Sequence, residues 1–246
     1  MRRDGEFQNL PKPVSRAAGP AKTGKRDRHD MRLLLVAVAL MMAGTMVQAQ
    51  GCGDLCDRRW WAEADQTQIS TAIADADPAG RDTFGATALH YVAWFGSSSQ
   101  VGRLLAAGAD PNARDEQGWC PLNWAAAFGE AESVSLLIAA GADVNARDVK
   151  GWSSLHWAAG LGTPETIIAL IDAGADTDAR DATFGWAPLH EAAGNGTPEN
   201  VMTLLRAGAD GAVMNHFGIS PIDLAKKNDK VSGTEAFRLL LAARAQ

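Results

Sequence analysis

The chain has 246 residues, with 23 lysines and arginines against 29 aspartates and glutamates. Nine of the basic residues fall within residues 1–49, so residues 50–246 carry 14 basic and 25 acidic side chains, a net charge of −11. Such a surface repels phosphate backbones and anionic lipid head groups, which argues against a nucleic-acid partner. It favours solubility and a basic patch on any partner.

The N-terminus divides into two segments before the rest of the chain begins. Residues 1–30 are basic, rich in proline and without an apolar period, which predicts disorder. The alternative is a mis-called start, with translation beginning at Met31. Residues 31–49 then follow the order of a secretory signal, with Arg32, an uncharged run over 33–47 and a small residue, Ala49, at the cleavage site.

Export and cleavage after Ala49 predict a mature chain that begins at Gln50 and acts in the periplasm or outside the cell. The competing interpretation of the same segment is a membrane anchor, but the apolar run is short for a span. We therefore expect no membrane span in the mature chain.

Three cysteines come after the signal segment. Cys52 and Cys56 are four residues apart and could close a small disulfide loop in an oxidising compartment. The alternatives are metal binding, disfavoured because no histidine lies near them, and lipid modification of Cys52, disfavoured by the preceding residues. Cys120 lies at a predicted helix start and is expected to be a buried free thiol.

Residues 50–80 are predicted to form an N-terminal linker and capping helices. The stretch 57–76 has the pattern of a degenerate helix pair, in which Trp60 and Trp61 cover the open end of the repeats after residue 80. The marker glycines of those repeats, spaced 33, 33, 34 and 33 residues apart, are Gly85, Gly118, Gly151, Gly185 and Gly218. A period of this length indicates a stacked array, because one unit cannot bury its apolar face alone.

Helix signals recur within each unit. Prolines fall where a first helical turn tolerates a missing N–H, Thr163 and Thr197 precede two of them as N-caps, and Gly141 follows an apolar stripe as a helix stop. Each unit is therefore predicted to be helix, tight turn, helix and an extended hairpin rich in Asp, Asn and Gly.

These motifs resemble ankyrin repeats. The resemblance is carried by residues 87–90, 121–122, 155–156 and 188–190 and by the Gly-Ala-Asp turns at 108–110, 141–143, 174–176 and 208–210. It implies an all-α ankyrin-repeat solenoid of helix-turn-helix units with hairpin fingers, four repeats over residues 81–213 and a C-terminal capping repeat over 214–246. Among the departures from the pattern, Asn123 stands in place of the usual His and Ser154 in place of the Pro.

Three repeated histidines, His90, His156 and His190, are the residues that most invite a catalytic or metal-binding interpretation. The resemblance implies instead that they fix the hairpins through hydrogen bonds, and adjacent copies about 10 Å apart could not share a metal. No nucleophile and base are arranged together. We therefore predict no catalytic residue, no metal site, no cofactor and no enzymatic activity.

Two tryptophan-rich columns are the candidate partner-binding residues. The first column comes directly after the hairpin glycines and consists of Trp119, Trp152 and Trp186. The second column lies on the inner helices and consists of Tyr91, Trp124 and Trp157. The alternative for both is that the rings stack and stiffen the hairpins. For the first column we favour exposed anchors, because aligned exposed aromatic rings are costly to leave in water.

The functional hypothesis is a non-catalytic protein–protein interaction module with an unidentified protein partner. The alternatives are an enzyme or metal-binding protein built on the same scaffold, and a structural protein that self-associates through the tryptophan columns.

Overall fold

The computed structural model describes residues 53–244. The predictions for residues 1–30, for the signal segment 31–49 and for Cys52 lie outside these described residues. The first described elements are a 3-10 helix, Gly53–Cys56, and two short helices, α1 (Arg58–Glu63) and α2 (Gln66–Asp75). This is the helix pair that the stretch 57–76 predicts.

Five further helix pairs come next, each with an inner and an outer member. The inner helices are α3 (Ala88–Phe95), α5 (Pro121–Phe128), α7 (Ser154–Leu161), α9 (Pro188–Gly194) and α11 (Pro221–Ala225). The outer helices are α4 (Ser98–Ala106), α6 (Ala131–Ala139), α8 (Pro164–Asp172), α10 (Pro198–Arg206) and α12 (Glu235–Arg244). Each helix packs on its pair mate and on the equivalent helix of the next pair, so the pairs stack in two helical layers. None of the helices in residues 53–244 is long and apolar enough to cross a membrane.

The helix ends form where the sequence places capping residues. The hydroxyls of Thr163 and Thr197 accept hydrogen bonds from backbone N–H groups three residues on, at the starts of α8 and α10. Gly141 follows α6 with φ of +92° and Gly174 follows α8 with φ of +90°. This left-handed conformation strains residues with a Cβ, so the predicted helix stops are confirmed.

The core lies between successive pairs. One leucine or isoleucine at the same position of each inner helix is buried where successive inner helices pack. These residues are Leu89, Leu122, Leu155, Leu189 and Ile222, each at most 1% exposed. The helices can approach closely because small residues face one another: a Cβ at Gly129 would overlap the carbonyl oxygen of Ala93 in the preceding repeat.

In the hairpins between helix pairs, an aspartate side chain holds the turn by hydrogen bonds to backbone N–H groups. In the second hairpin the Oδ1 of Asp115 accepts hydrogen bonds from the N–H groups of Gln117 and Trp119, at 2.8 and 2.9 Å. The guanidinium of Arg114 then donates to the carbonyl oxygens of Gly118 in its own hairpin and Arg147 in the next, at 2.9 and 2.6 Å. Both interactions, the aspartate bonds within a hairpin and the arginine bonds to the next hairpin, recur along the stack and hold each hairpin to its neighbour.

The repeated histidines join one repeat to the next. The Nδ1 of His156 accepts a hydrogen bond from the Ser153 N–H at 3.2 Å, so Nε2 carries the proton and donates to the Trp186 carbonyl oxygen at 3.1 Å. His90 and His190 make the same pair of bonds in their own repeats. The structural role that the resemblance implies for these histidines is confirmed.

Asn123 takes the histidine position in the second repeat. It bonds to a side chain of the next repeat, where the histidines bond to a backbone carbonyl oxygen. Its Oδ1 accepts from the Cys120 N–H at 2.8 Å, and its Nδ2 donates to the hydroxyl of Ser154 at 3.1 Å. Ser154 stands at the helix position that Pro121, Pro188 and Pro221 hold in other repeats. The two departures from the repeat pattern therefore form one buried pair.

Candidate functional site

The second column, Tyr91, Trp124 and Trp157, is buried between repeats, with exposed fractions of 4%, 5% and 2%. The Tyr91 hydroxyl donates to Oδ2 of Asp82 at 2.8 Å, and the Trp157 indole N–H donates to Oδ2 of Asp148 at 3.2 Å. Tyr91 and Trp157 therefore hold hairpin aspartates from the inner helices, which is the stiffening role that the sequence leaves open for them.

The first column is less exposed than the sequence predicts. Trp119 is only 7% exposed, because its ring lies 4.1 Å from that of Trp157, centroid to centroid, and 6.3 Å from that of Trp124. The expectation of an exposed ring at Trp119 is therefore wrong: the second column of its own and the neighbouring repeat covers it.

The other two members of the first column stay partly accessible. Trp152 is half-buried and packs 4.7 Å from Trp157 and 5.9 Å from the His156 ring. Trp186 is half-buried beside His190, at 5.6 Å. The partner-binding role of both columns stays a prediction.

A third set of rings, which the sequence does not single out for binding, forms a continuous partly exposed surface. We call it the aromatic surface; it consists of Trp60, Trp61, Trp94, Phe95 and Phe128, all half-buried. The rings follow one another across three successive helix pairs. The distances between ring centroids are 5.5 Å for Trp60–Trp61, 6.1 Å for Trp61–Phe95, 4.3 Å for Phe95–Trp94 and 4.6 Å for Trp94–Phe128.

The aromatic surface lies at the ends of α3 and α5 and continues onto the cap helix α1. A centroid distance of 5.4 Å joins Trp94 to Trp124, so the buried second column supports the surface from below. Aromatic rings are the side chains most enriched at interface centres, and these five are contiguous without being fully covered.

Comparison with known protein families shows which family these repeats belong to. A family model described as Ankyrin repeats (3 copies) matches residues 62–148, 89–181 and 155–246. This chain belongs to the ankyrin repeat family. No curated protein sequence matches it significantly.

Burial controls the electrostatics of this ankyrin protein. It lowers the pKa of His90 and His156 from 6.5 to about 4, which keeps both rings neutral. It raises the pKa of Asp115 to about 6, although two backbone N–H groups favour the charged form. It also raises the pKa of Cys120, which is a buried free thiol as predicted.

These shifted groups do not converge on a common point. The histidines are each committed to backbone hydrogen bonds, and within residues 53–244 no three His, Cys, Asp or Glu side chains are grouped to hold a metal ion. The aromatic surface is a candidate site for recognition because its five rings are contiguous and partly exposed.

The sequence does contain a signal for this surface. Phe95, Phe128 and Leu161 recur at intervals of 33 residues, each just before the glycine that ends its inner helix, α3, α5 or α7. The spacing is as regular as that of the tryptophan columns. Its signal is weaker because the residue type changes from one repeat to the next.

Proposed function

We propose that this ankyrin repeat protein is a non-catalytic module that binds a protein partner through its aromatic surface, in the periplasm or outside the cell. The contiguous row of five half-buried rings is the observation that carries the proposal. Most of the binding energy of a protein interface comes from a few large aromatic or arginine side chains near its centre. A row of partly exposed aromatic rings offers such anchors without any conformational change.

The tryptophan columns take different roles in this proposal. Trp152 and Trp186, both half-buried, extend the contact towards later repeats. Trp124 supports the surface from beneath through Trp94, and Tyr91 and Trp119 pack against Trp124 in turn. Trp157 packs against Trp119. A rigid surface loses little conformational entropy on binding, which favours affinity.

The place of action rests on the signal segment alone. Cell fractionation and N-terminal sequencing of the protein from its native host test it directly. We expect the protein in the exported fraction with Gln50 as its first residue. An intact segment 31–49 on cytoplasmic protein would refute the export half of the proposal and leave the binding half standing.

Site-specific photocrosslinking tests the binding half. A benzophenone amino acid replaces Phe128 on the aromatic surface or, in a matched control, Ile168, which is 48% exposed on the outer helix α8. The variants are expressed in the native host and irradiated there. We expect Phe128 to capture a discrete protein that Ile168 does not. Capture at neither position, or equal capture at both, would contradict the proposal.

A further inference from the structure

Backbone hydrogen bonds join the tips of successive hairpins. The five hairpins are residues 77–87, 110–120, 143–153, 176–187 and 210–220. At three of the four junctions between them, the carbonyl oxygen of one tip accepts a hydrogen bond from an N–H of the next tip. These bonds run from Glu116 to Phe84 at 2.9 Å, from Val149 to Gln117 at 3.0 Å and from His216 to Phe184 at 2.9 Å. Each of these earlier tips therefore presents a carbonyl oxygen to the hairpin that follows it.

A second set of hydrogen bonds runs forward from arginine side chains. The guanidinium of Arg147 donates to the carbonyl oxygen of Arg180 at 2.9 Å, and that of Arg180 donates to the carbonyl oxygen of Met214. Met214 takes the position of these arginines in the fifth hairpin. A thioether has no hydrogen to donate. Another ankyrin hairpin placed next to the fifth would therefore lack the arginine bond that joins the internal hairpins.

The outer edge of the fifth hairpin is apolar and exposed. Phe217 is 68% exposed and Met214 is 49% exposed. In the second and third hairpins the residues that directly precede the hairpin glycine, as Phe217 does, are polar, Gln117 and Lys150. The terminal unit of a repeat array ordinarily has a polar outer face, because no further unit covers it. An apolar edge at this end indicates a surface for a partner.

The junction between the fourth and fifth hairpins shows what such an edge can hold. There the Phe184 carbonyl oxygen accepts the His216 N–H, and the rings of Phe184 and Phe217 lie 6.0 Å apart, centroid to centroid. The fifth hairpin offers the same two groups, the ring and the carbonyl oxygen of Phe217. Among residues 53–244 no donor bonds to that oxygen. An occupant that fits this edge supplies one N–H and one large apolar side chain.

We propose that the outer edge of the fifth hairpin docks an extended segment of a partner protein. The segment donates a backbone N–H to the Phe217 carbonyl oxygen. The aromatic or large aliphatic side chain of its next residue packs against Phe217 and Met214. When a peptide pairs with an exposed backbone edge, the main-chain bonds supply affinity and the side-chain contacts supply specificity. Met214 suits such a contact, because its flexible thioether chain adapts to apolar groups of different shape.

An NMR titration of the full isotope-labelled chain tests the docking with peptides of known sequence. The parent peptide copies residues 212–219, the segment that packs against the fourth hairpin. One variant peptide has proline in place of its histidine and so lacks the donated N–H, and another has alanine in place of its phenylalanine. We expect saturable shifts of the amide signals at 214–218 with the parent peptide, and at least fivefold weaker binding of each variant. Absence of saturable shifts, or equal binding of the three peptides, would overturn the inference.

Two variants of the protein locate the binding. Phe217→Ser removes the ring at the proposed edge and should weaken the parent peptide at least fivefold. The matched control is Val149→Ser at the tip of the third hairpin, where the exposed fraction of 67% is close to that of Phe217. Circular dichroism checks that both variants are folded. An equal loss of binding in the two variants would show non-specific apolar contact, which contradicts a site.

Sedimentation of the unmodified chain tests the competing occupant, a second copy of the protein. We expect no association that depends on Phe217, because the forward arginine bond is absent at Met214. Association that Phe217→Ser abolishes and Val149→Ser does not would assign the edge to a second copy and overturn the partner segment. The inference goes beyond the aromatic surface, which lies on the cap and the first two repeats. Crosslinking at Phe128 tests that surface and the peptides test this edge, so failure of one leaves the other standing.

Discussion

At the scale of single residues, the neutral histidines are contacts between repeats that depend on pH. A protonated imidazole would place an N–H opposite the backbone N–H that now donates to Nδ1, and it would carry a charge into a buried interface. Burial already lowers the pKa of His90 and His156 to about 4. Proton uptake and folding are therefore linked in this protein.

The sign of that linkage gives the first prediction. Below pH 6.5 the unfolded chain binds protons at these histidines and the folded chain does not, so stability is lost as the pH falls from about 6.5 to about 4. Each histidine lowers the free energy of unfolding by roughly 3 kcal/mol at most over that pH range. Asp115 opposes it, because its raised pKa lets the folded state bind a proton first. Denaturant melts between pH 7 and pH 4 measure the net loss.

The second repeat supplies the variant for this test. His156→Asn combined with Pro188→Ser copies the Asn123–Ser154 pair into the third repeat, and it should reduce the acid-induced loss by about 2–3 kcal/mol. His216→Asn, at an exposed histidine, is the control. An unchanged pH dependence in the double variant would show that His156 does not couple folding to protons.

The Asn123–Ser154 pair also marks a limit of prediction from sequence. The sequence shows each residue as a separate departure from the repeat pattern. The structure joins them by a hydrogen bond of 3.1 Å across the repeat boundary, between residues 31 positions apart. Such a contact depends on how the units stack, which a single repeat does not specify.

At the scale of helices, the glycines that follow α5, α7 and α9 set the spacing of the stack; they are Gly129, Gly162 and Gly196. A Cβ on Gly162 would overlap the carbonyl oxygen of Ala126 in the previous inner helix and crowd Ala158 in its own helix. Both obstacles are backbone atoms, which cannot rotate away. Gly174 differs, because its φ of +90° requires glycine while no atom lies within 4 Å of a Cβ built there.

These two environments predict different costs for the same substitution. Gly162→Ala should destabilise the protein by about 3 kcal/mol, the upper end of the range for overpacking, because α5 and α7 must separate. Gly174→Ala should cost only about 1 kcal/mol, from backbone strain in the left-handed region. Denaturant melts of the two variants provide the measurement. A cost at Gly174 equal to or above that at Gly162 would mean that the inner helices are not held at this distance.

The helices themselves were predictable, because their signals are local. Proline at the first turn, threonine caps and the glycine stops all lie within one repeat, and the period shows that the units are equivalent. The burial of Trp119 was not predictable by that route. It depends on the rings of Trp124 and Trp157, which belong to its own and the following repeat, so only the assembled stack shows that the side chain is covered.

At the scale of the whole stack, the position of a defect should decide how far it spreads. Leu155 lies on α7, which packs against α5 and α9, whereas Leu240 lies on α12, which packs against α10 and α11 in the last units. Both leucines are 0% exposed, so their truncation removes the same chemical group from equally buried sites. In a stack held by contacts between neighbouring units, the interior defect weakens two interfaces and the terminal defect weakens one.

We therefore expect Leu155→Ala and Leu240→Ala to cost about 2–5 kcal/mol each in local packing, with different reach along the chain. Native-state hydrogen exchange measures that reach residue by residue. Leu155→Ala should reduce amide protection in α5, α7 and α9, while Leu240→Ala should reduce it in α10, α11 and α12 and leave α3 and α5 as in the unmodified protein. If Leu240→Ala instead lowers protection equally in every helix, the stack opens as one cooperative unit. The aromatic surface at the opposite end would then be as sensitive to the C-terminal repeat as to its own.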